Sequence, residues 1–209
     1  MIRLDIFSDP VCPWCYIGKA NLDRALEAKG DHPFEVEWHP FQLNPDMPAG
    51  GVDRMAYLEE KFGGRDKVDQ MHARLDEAAR DAGVTFDHSL IKRIPNTLDA
   101  HRLIYWAGLE GRQTPVKAAL MRAYWREGRD IGDHATLAAI AGETGLDGAA
   151  MARLLATDAD RDSIIARDAH ARTRGINAVP TFIIANQYVL SGAQPPHLWE
   201  QVMVELAGQ

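Results

Sequence analysis

The chain has only two cysteines, Cys12 and Cys15, and they lie where a strand-like apolar run gives way to a helical pattern. Residues 2–7 are apolar enough for a strand that is buried on both faces. After the first cysteine the hydrophobic residues follow helical spacing as far as about Lys29, and Gly30 stands where helices commonly end. This stretch therefore predicts a strand followed by a helix that begins at the two thiols.

A second strand is predicted soon after this helix. In residues 34–41, Phe34, Val36 and Trp38 alternate with polar side chains, which is the pattern of a half-buried strand. Because strand, helix and strand follow one another directly, we expect a βαβ unit with parallel strands and a right-handed crossover.

The middle of the chain predicts helices. From about Val52 to Gly175 one helical pattern follows another, and we identify no convincing strand there. Asn96 stands three residues before Asp99, which resembles a capping box and predicts that Asn96 begins a helix. Other helix ends are predicted by Pro115 near a first turn and Gly128 after a last turn, and Asp133, Asp147 and Asp160 are candidate caps or first-turn acids of further short helices.

Strand signals return near the end of the chain. Residues 181–184 and 188–190 are short apolar runs joined at Asn186-Gln187, which predicts a hairpin, and Pro195-Pro196 then begins a last helix. The whole pattern predicts an α/β protein with a thioredoxin-like fold, βαβ…ββα, and a large helical insertion. The predicted domains are a thioredoxin-like domain in residues 1–51 and 176–209 and an inserted helical domain in residues 52–175.

Composition narrows the partners and the compartment. The 209 residues carry a formal net charge of −7 with no long block of like charge, which argues against nucleic acid or an anionic membrane as the main partner. No apolar stretch approaches the roughly 20 residues that a membrane helix needs, and the N-terminus lacks the pattern of a secretory signal. We therefore expect a cytoplasmic protein.

Two closely spaced thiols in a cytoplasmic chain indicate redox chemistry or metal binding rather than a structural disulfide. Unpaired amides and the helix dipole at a helix start favour the thiolate of Cys12, so we expect an exposed, acidified Cys12 and a sheltered Cys15. Cys12 would attack a substrate disulfide and Cys15 would resolve the mixed disulfide. Pro13 suits the first turn, where its missing amide leaves nothing unpaired.

Two other roles for the thiols stay open. A structural zinc site needs four ligands, so at least two of the eight histidines would have to join the cysteines, and no two of them stand in a second close pair. Inert core thiols are the other alternative, since free cysteine is often buried. The spacing favours an active dithiol with no bound metal.

Several stretches of the chain resemble a known family. Cys-Pro-Trp-Cys after a first strand, the long helical insertion and Val-Pro-Thr-Phe at the third strand together resemble the DsbA family of thiol–disulfide oxidoreductases. The stretches "EWHPFQLNPDMP", "PNTLDAHRLI", "GRDIGD" and "SGAQPP" are similar to its FrnE-like branch, which is related to 2-hydroxychromene-2-carboxylate isomerases and kappa-class glutathione transferases. The resemblance spans essentially the whole chain.

The resemblance implies a substrate groove between the dithiol and a proline loop. It implies that Pro180 is cis and faces the dithiol, although the base rate by itself favours trans, and that the backbone of Val179 pairs with a bound substrate chain. A helix cap for Asn96 and a structural role for His101 are the alternatives to substrate contact. The candidate residues are Cys12 and Cys15 for catalysis and Pro13, Trp14, Asn96, His101, Val179 and Pro180 for substrate binding.

The chain departs from the family pattern at two places. The periplasmic oxidant of the family has histidine before its second cysteine, where this chain has Trp14, whose indole carries no positive charge. We therefore expect a less oxidising dithiol, suited to reduction or isomerisation. Relatives also place an acid in the first strand; Asp5 matches by position, but the turn here is one residue longer, and exposure at the sheet end explains Asp5 equally well.

The predicted function is thiol–disulfide exchange, as in a protein-disulfide reductase or isomerase. No cofactor is required, since the two sulfurs hold the electrons, and glutathione is a candidate co-substrate. The expected partners are disulfide-bearing proteins or small thiols, with no nucleic acid and no membrane, and a homodimer stays open.

Two alternatives to this function remain. One is a glutathione-dependent isomerase or transferase, although such enzymes typically carry serine where Cys12 stands and have no resolving cysteine. The other is a binding module whose dithiol has become incidental.

Overall fold

A mixed sheet of four strands forms the centre of the molecule, whose computed structural model describes residues 1–207. The strands in chain order are β1 (Ile2–Ser8), β2 (Phe34–Pro40), the two-residue β3 (Val52–Asp53) and β4 (Arg93–Ile94), β5 (Thr181–Ile184) and β6 (Tyr188–Ser191). Across the central sheet the order is β2-β1-β5-β6, with β1 and β2 parallel and the β5–β6 hairpin antiparallel to β1. The predicted βαβ unit and hairpin are therefore confirmed.

Helices account for most of the remaining described chain. They are α1 (Pro13–Lys29), α2 (Arg54–Phe62), α3 (Arg65–Ala82), α4 (Leu98–Leu109), α5 (Gln113–Glu127), α6 (His134–Glu143), α7 (Gly148–Leu155), α8 (Arg161–Thr173) and α9 (Pro196–Ala207). The helices from α2 to α8 form one insertion between β2 and β5, so the α/β thioredoxin-like fold with a helical insertion is confirmed. Residues 208 and 209, which the predicted domain boundaries include, lie outside the described residues.

The core explains why β1 occupies the middle of the sheet. Leu4 and Ile6 of β1 are fully buried, because this strand has helices over its faces and a strand on each side. On α9, Trp199 meets the rings of Phe34 and Phe182 edge-on at centroid distances of 6.4 and 4.8 Å. The last helix is thereby fixed against the sheet.

The insertion shares its hydrophobic core with the sheet. Leu103 of α4 and Leu120 of α5 belong to the same cluster of buried side chains as Leu4 and Trp38. Each such leucine contributes roughly 1.5–3 kcal/mol by leaving water. The helices of the insertion therefore stabilise the sheet against which α1 and its dithiol are packed.

Several predicted helix ends are confirmed. Gly30 ends α1 with φ at +72°, a value that favours glycine. Asp133 and Asp147 are N-caps whose carboxylates accept the N–H groups of Thr136 and Ala150. Gly128 follows the last residue of α5.

Two predictions in the insertion are wrong in detail, and a third is confirmed in position only. The N-cap of α4 is Thr97 rather than Asn96, although Asn96 Oδ1 still accepts the N–H of Leu98. Asp160 is the N-cap of α8 as predicted, but its carboxylate caps no amide and accepts the indole N–H of Trp106 at 2.8 Å. The insertion also contains the short antiparallel pair β3–β4, whose two-residue length gives no alternating pattern to detect.

Within residues 1–207, no helix combines the length and the apolar character that crossing a lipid bilayer demands.

Candidate active site

The two cysteines lie at the first turn of α1. Cys12 is the N-cap, with an extended backbone, and its sulfur accepts the N–H of Cys15 at 3.3 Å. Pro13 is the first helical residue, where its lack of an N–H costs nothing. The thiols are not joined by a disulfide, and the helix places the second sulfur one turn from the first, as the C-x-x-C spacing predicts.

A proline loop faces Cys12 from the other side. The Val179–Pro180 peptide bond is cis, as the family resemblance implies, and the Cys12 thiol points at the Val179 carbonyl at 3.6 Å. Gly18 of α1 allows this approach, since a Cβ there would lie 3.1 Å from Pro180 Cγ and 3.3 Å from Ala193 Cα. The N–H of Val179 has no acceptor among the described residues, so it is available to an extended substrate chain.

Burial overturns the prediction of an exposed, acidified thiol. Cys12 is 3% exposed and Cys15 is 1% exposed. Burial raises the pKa of Cys12 well above its usual value, the adjacent Cys15 thiol and the charge of Asp9 raise it further, and the Cys15 N–H opposes them. The helix start does supply the predicted hydrogen bond, but the loss of water around the sulfur outweighs it.

A cleft of about 730 Å³ lies over Cys12, between the dithiol and helices α2 and α3. This volume is in the range of small-molecule binding sites. Trp14, Leu43 and Phe62 line the cleft and are about two-fifths exposed, at 44, 40 and 39%. Exposed apolar side chains around a buried reactive group indicate a surface that binds a partly apolar substrate.

The predicted substrate-binding residues fall into two groups. Pro13, Trp14 and Val179 line the cleft beside Cys12, and Pro180 is buried directly behind Val179. Asn96 and His101 do not line it.

The positions of Asn96 and His101 explain their absence from the cleft. The Asn96 amide donates to the Met47 carbonyl at 2.6 Å and caps Leu98, while His101 is 2% exposed inside α4. Asn96 is thus occupied by hydrogen bonds within the protein, and His101 is buried. These positions fit the structural roles that were the alternatives to substrate contact.

Asp9 is a buried acid beside the dithiol that the sequence interpretation missed. It is 1% exposed, and its Oδ2 accepts the Leu43 N–H at 2.8 Å and the Thr97 hydroxyl at 3.3 Å. Burial raises the pKa of Asp9 to about 6, and the Leu43 N–H and the charge of Lys117 limit the rise. Its position next to the dithiol turn was the signal that could have drawn attention to it.

Lys117 brings a positive charge to the same place from α5. It is 1% exposed, and its Nζ donates to the Ser8 carbonyl at 3.2 Å. Burial lowers the pKa of Lys117 to about 8, and the two thiols and Asp9 act against that fall, Cys15 most strongly.

His101 completes this group. Its Nε2 lies 3.7 Å from Asp9 Oδ1 and has no hydrogen-bond partner in the described structure. Burial holds the pKa of His101 well below its usual value, so the imidazole is neutral. We call Asp9, His101 and Lys117 the polar layer.

Asp5 takes no part in the dithiol site. It is 5% exposed, so exposure at the sheet end is not its explanation, and it is paired with Arg3 at 2.8 Å and His39 at 2.6 Å. Ligand atoms of Asp5, Glu37 and His39 lie within 4.8 Å of one another, but Arg3 bonds both carboxylates. The buried charge of Asp5 is therefore satisfied by a local ion network.

Comparison with known proteins agrees with this geometry. A model of the DSBA-like thioredoxin domain family matches residues 3–204. The chain belongs to this family. The uncharacterized protein YwbO of Bacillus subtilis (strain 168) is 30% identical over 205 residues, covering 97% of this chain and 96% of YwbO.

Solved structures extend the family relationship. A probable DsbA oxidoreductase from Streptomyces coelicolor is 29% identical, with a TM-score of 0.88 over 100% of this chain and 91% of that one. The cytosolic disulfide reductase DsbM from Pseudomonas aeruginosa, solved with GSH, shares the fold at 20% identity, with a TM-score of 0.69 over 99% of this chain and 100% of DsbM. The chain is thus a member of a DsbA-like thiol–disulfide oxidoreductase family.

Proposed function

We propose that this protein is a thiol–disulfide oxidoreductase of the FrnE-like branch, with Cys12 as the nucleophile and Cys15 as the resolving thiol. The observation that carries the proposal is the placement of Cys12. Its sulfur caps α1, accepts the Cys15 N–H at 3.3 Å, faces the Val179 carbonyl at 3.6 Å and lines the cleft. One sulfur is thereby presented to a substrate while its partner waits one turn away.

The exchange needs only the two sulfurs and a substrate disulfide. The Cys12 thiolate attacks one substrate sulfur, the substrate S–S bond breaks, and the first substrate thiol leaves after taking up a proton. Cys15 then loses its proton and attacks Cys12 Sγ, which releases the second substrate thiol and forms the Cys12–Cys15 disulfide. Two electrons pass to the substrate, and two equivalents of a thiol such as glutathione restore the dithiol.

The polar layer supports the second step in this proposal. Lys117 is cationic below its pKa of about 8, and Cys15 is the charged neighbour that supports this cation most strongly, so a positive charge lies near the sulfur that must attack Cys12. Asp9 is ionised above its pKa of about 6, and we propose that its carboxylate accepts the proton that Cys15 loses in this step.

The substrates proposed are disulfides of proteins or small thiols. The exposed rings and aliphatic side chains around the cleft and the unpaired N–H of Val179 suit an extended, partly apolar chain. Glutathione as reductant and a cytoplasmic location are supported by the likeness to DsbM, a cytosolic disulfide reductase that was solved with GSH.

A trapping experiment tests the catalytic assignment. A Cys15→Ala protein expressed in cells should accumulate mixed disulfides on Cys12, since the resolving thiol is missing, and a Cys12→Ala protein should accumulate none. The purified protein should reduce a model disulfide with glutathione as electron source. An empty trap together with no reduction of the model disulfide would overturn the proposal.

A second variant separates redox chemistry from glutathione-dependent isomerisation. With Cys15→Ser, disulfide reduction should fall to the background rate because the mixed disulfide is no longer resolved. An isomerase that uses only the first position would keep its turnover in this variant, so survival of activity contradicts the proposed function.

A further inference from the structure

The charge lining the cleft has one sign. Four charged side chains line it, Arg54, Lys61, Lys67 and Arg74, and no aspartate or glutamate does so within residues 1–207. The protein as a whole carries a net charge of −7. Cations are therefore concentrated in the cleft that Cys12 lines, although the molecule as a whole is acidic.

None of these four cations is neutralised by the protein. In the part of the chain that the structure describes, no ion pair includes Arg54, Lys61, Lys67 or Arg74, although many other surface cations are paired. Lys61 donates instead to the Tyr57 hydroxyl at 3.1 Å, and its Nζ lies over that ring. The positive potential of the cleft is therefore not cancelled by the protein and can attract an anionic ligand.

Arg54 also lacks an anionic partner, although it lies in the interior. This residue is 3% exposed, and its Nη2 lies 3.1 Å from His72 Nε2 and 3.2 Å from His88 Nδ1, two imidazoles stacked 3.8 Å apart. Asp76 is bonded to the far nitrogen of His88 at 2.9 Å. Arg54 Nη1 is buried and has no hydrogen-bond partner in the described structure.

The imidazoles hold the guanidinium without cancelling its charge. Burial lowers the pKa of both rings, that of His72 to about 4, so near neutral pH they accept hydrogen bonds as uncharged groups. The other buried arginine, Arg102, is bonded to the Asp99 carboxylate at 2.8 Å and to the carbonyl of Ala159 at 2.8 Å. A buried cation without such an anion is costly unless a ligand supplies one.

We propose that the cleft selects anionic substrates, and that the disulfides reduced at Cys12 belong to carboxylate-bearing small thiols or short acidic peptides. Arg54 is the inner anchor, and Lys61, Lys67 and Arg74 form the rim that attracts the substrate. The inference rests on the proposed function, because it names the substrate class of the same site. The cleft volume of about 730 Å³ suits a ligand of this size.

Three small disulfides of different charge test the selection. They are dithiodipropionate with charge −2, hydroxyethyl disulfide with no charge, and cystamine with charge +2. Each kcat/KM is divided by the rate at which dithiothreitol reduces the same compound, which removes intrinsic reactivity. The anionic disulfide should be preferred over the cationic one by about tenfold or more, and the preference should shrink as salt is raised.

A matched pair of variants locates the preference in the cleft. The triple change Lys61→Gln, Lys67→Gln and Arg74→Gln should remove most of the preference for the anionic over the cationic disulfide, so that their kcat/KM ratio falls toward one. The control is the triple change Lys29→Gln, Arg80→Gln and Arg153→Gln, which removes the same charge from exposed positions that do not line the cleft. The control should keep the wild-type ratio.

A binding measurement makes the inference independent of turnover. Calorimetry on the protein carrying Cys12→Ser and Cys15→Ser should show dithiodipropionate binding more tightly than cystamine, and Arg54→Met should weaken it more than Arg54→Lys, which keeps the charge. If dithiodipropionate and cystamine bind with equal affinity, the inference is overturned, even if the wild-type protein reduces all three disulfides. Charge-selective binding without any reduction supports the anion site and overturns the proposed function alone.

Discussion

The two sides of the dithiol treat charge in opposite ways. On the cleft side, four cations line the cavity without one acidic partner in the described structure. On the inner side, the polar layer places Asp9 and Lys117 together, each nearly inaccessible and each bonded to the main chain near the first strand. The cations of the cleft have no anion within the protein, whereas the charges of the polar layer are compensated by each other and by hydrogen bonds.

This difference has a physical reason. The unpaired cations at the solvated rim, Lys61, Lys67 and Arg74, cost little, because water screens them until a ligand arrives. The buried Arg54 is the exception on this side, and it is held by hydrogen bonds to two neutral imidazoles. Charges in the interior must be compensated by hydrogen bonds and by each other, and their pKa values shift where compensation is incomplete. The polar layer is therefore suited to moving a proton, whereas the cleft is suited to attracting a charged molecule.

The largest effect is expected for Asp9→Asn. Folding raises the pKa of Asp9 from 3.8 to about 6, so between these values the folded state binds more protons than the unfolded chain. The contribution of Asp9 to the free energy of unfolding is fully present below pH 4. It falls by about 3 kcal/mol as the pH rises through 6. Urea unfolding from pH 4 to 7 should show this loss in the wild type relative to Asp9→Asn.

Other groups titrate in both proteins and cancel in that difference. Parallel stability curves for the wild type and Asp9→Asn would mean that Asp9 ionises as easily in the folded protein as in the unfolded chain. The contrast between a compensated interior and a screened cleft would then lose its main support.

The next effect is expected for Lys117→Gln. Without this cation the Cys15 thiolate loses its nearby positive charge, so resolution of a mixed disulfide should slow by about 100-fold. The step can be followed as the release of thionitrobenzoate from Cys12. Lys19→Gln is the control, since Lys19 is also buried but is paired with Asp23; an equal slowing in the two variants would remove the specific role of Lys117.

A smaller effect is expected at Trp14, on the cleft side. Because Trp14 brings no positive charge and burial raises the pKa of Cys12, the wild-type reduction potential should be more negative than the roughly −120 mV of the strongly oxidising relative. Trp14→His should move it upward by about 30 mV, which corresponds to one pKa unit of thiolate stabilisation. Redox titration against glutathione measures this, and Trp14→Phe, which adds no charge, should leave the potential within a few millivolts of the wild type.

The smallest effect is expected for Asp5→Asn. Asp5 is satisfied by Arg3 and His39 and contacts neither thiol, so kcat/KM for disulfide reduction should change by less than about twofold. A loss as large as that of Lys117→Gln would show that the acid in the first strand, and not the polar layer, serves the dithiol.

Local sequence patterns predicted the elements that carry the site. The βαβ unit, the start of α1 at the cysteines and the final hairpin follow from alternation, helical spacing and turn residues, which act over a few neighbours. The Asn96 cap was placed one residue early, because two adjacent residues that both suit a cap cannot be ranked without the fold.

The partners of the dithiol could not be predicted in the same way. Lys117 lies 109 positions from the Ser8 carbonyl that it bonds, and the burial of Asp9 depends on Leu43 and Thr97 from other elements. Nothing in the neighbouring residues encodes such distant contacts. The same limit explains why the sequence points to Asp5, which matches relatives by its position in the first strand, and not to Asp9.

The sequence by itself determined the order of strands and helices and the position of the two sulfurs at a helix start, because hydrogen bonding and hydrophobic spacing are local. Only the tertiary structure decided that Cys12 is buried, that its pKa is raised rather than lowered, and that unpaired cations line the cleft that Cys12 faces. Desolvation and electrostatic potential depend on every group within several ångströms, whatever its place in the chain.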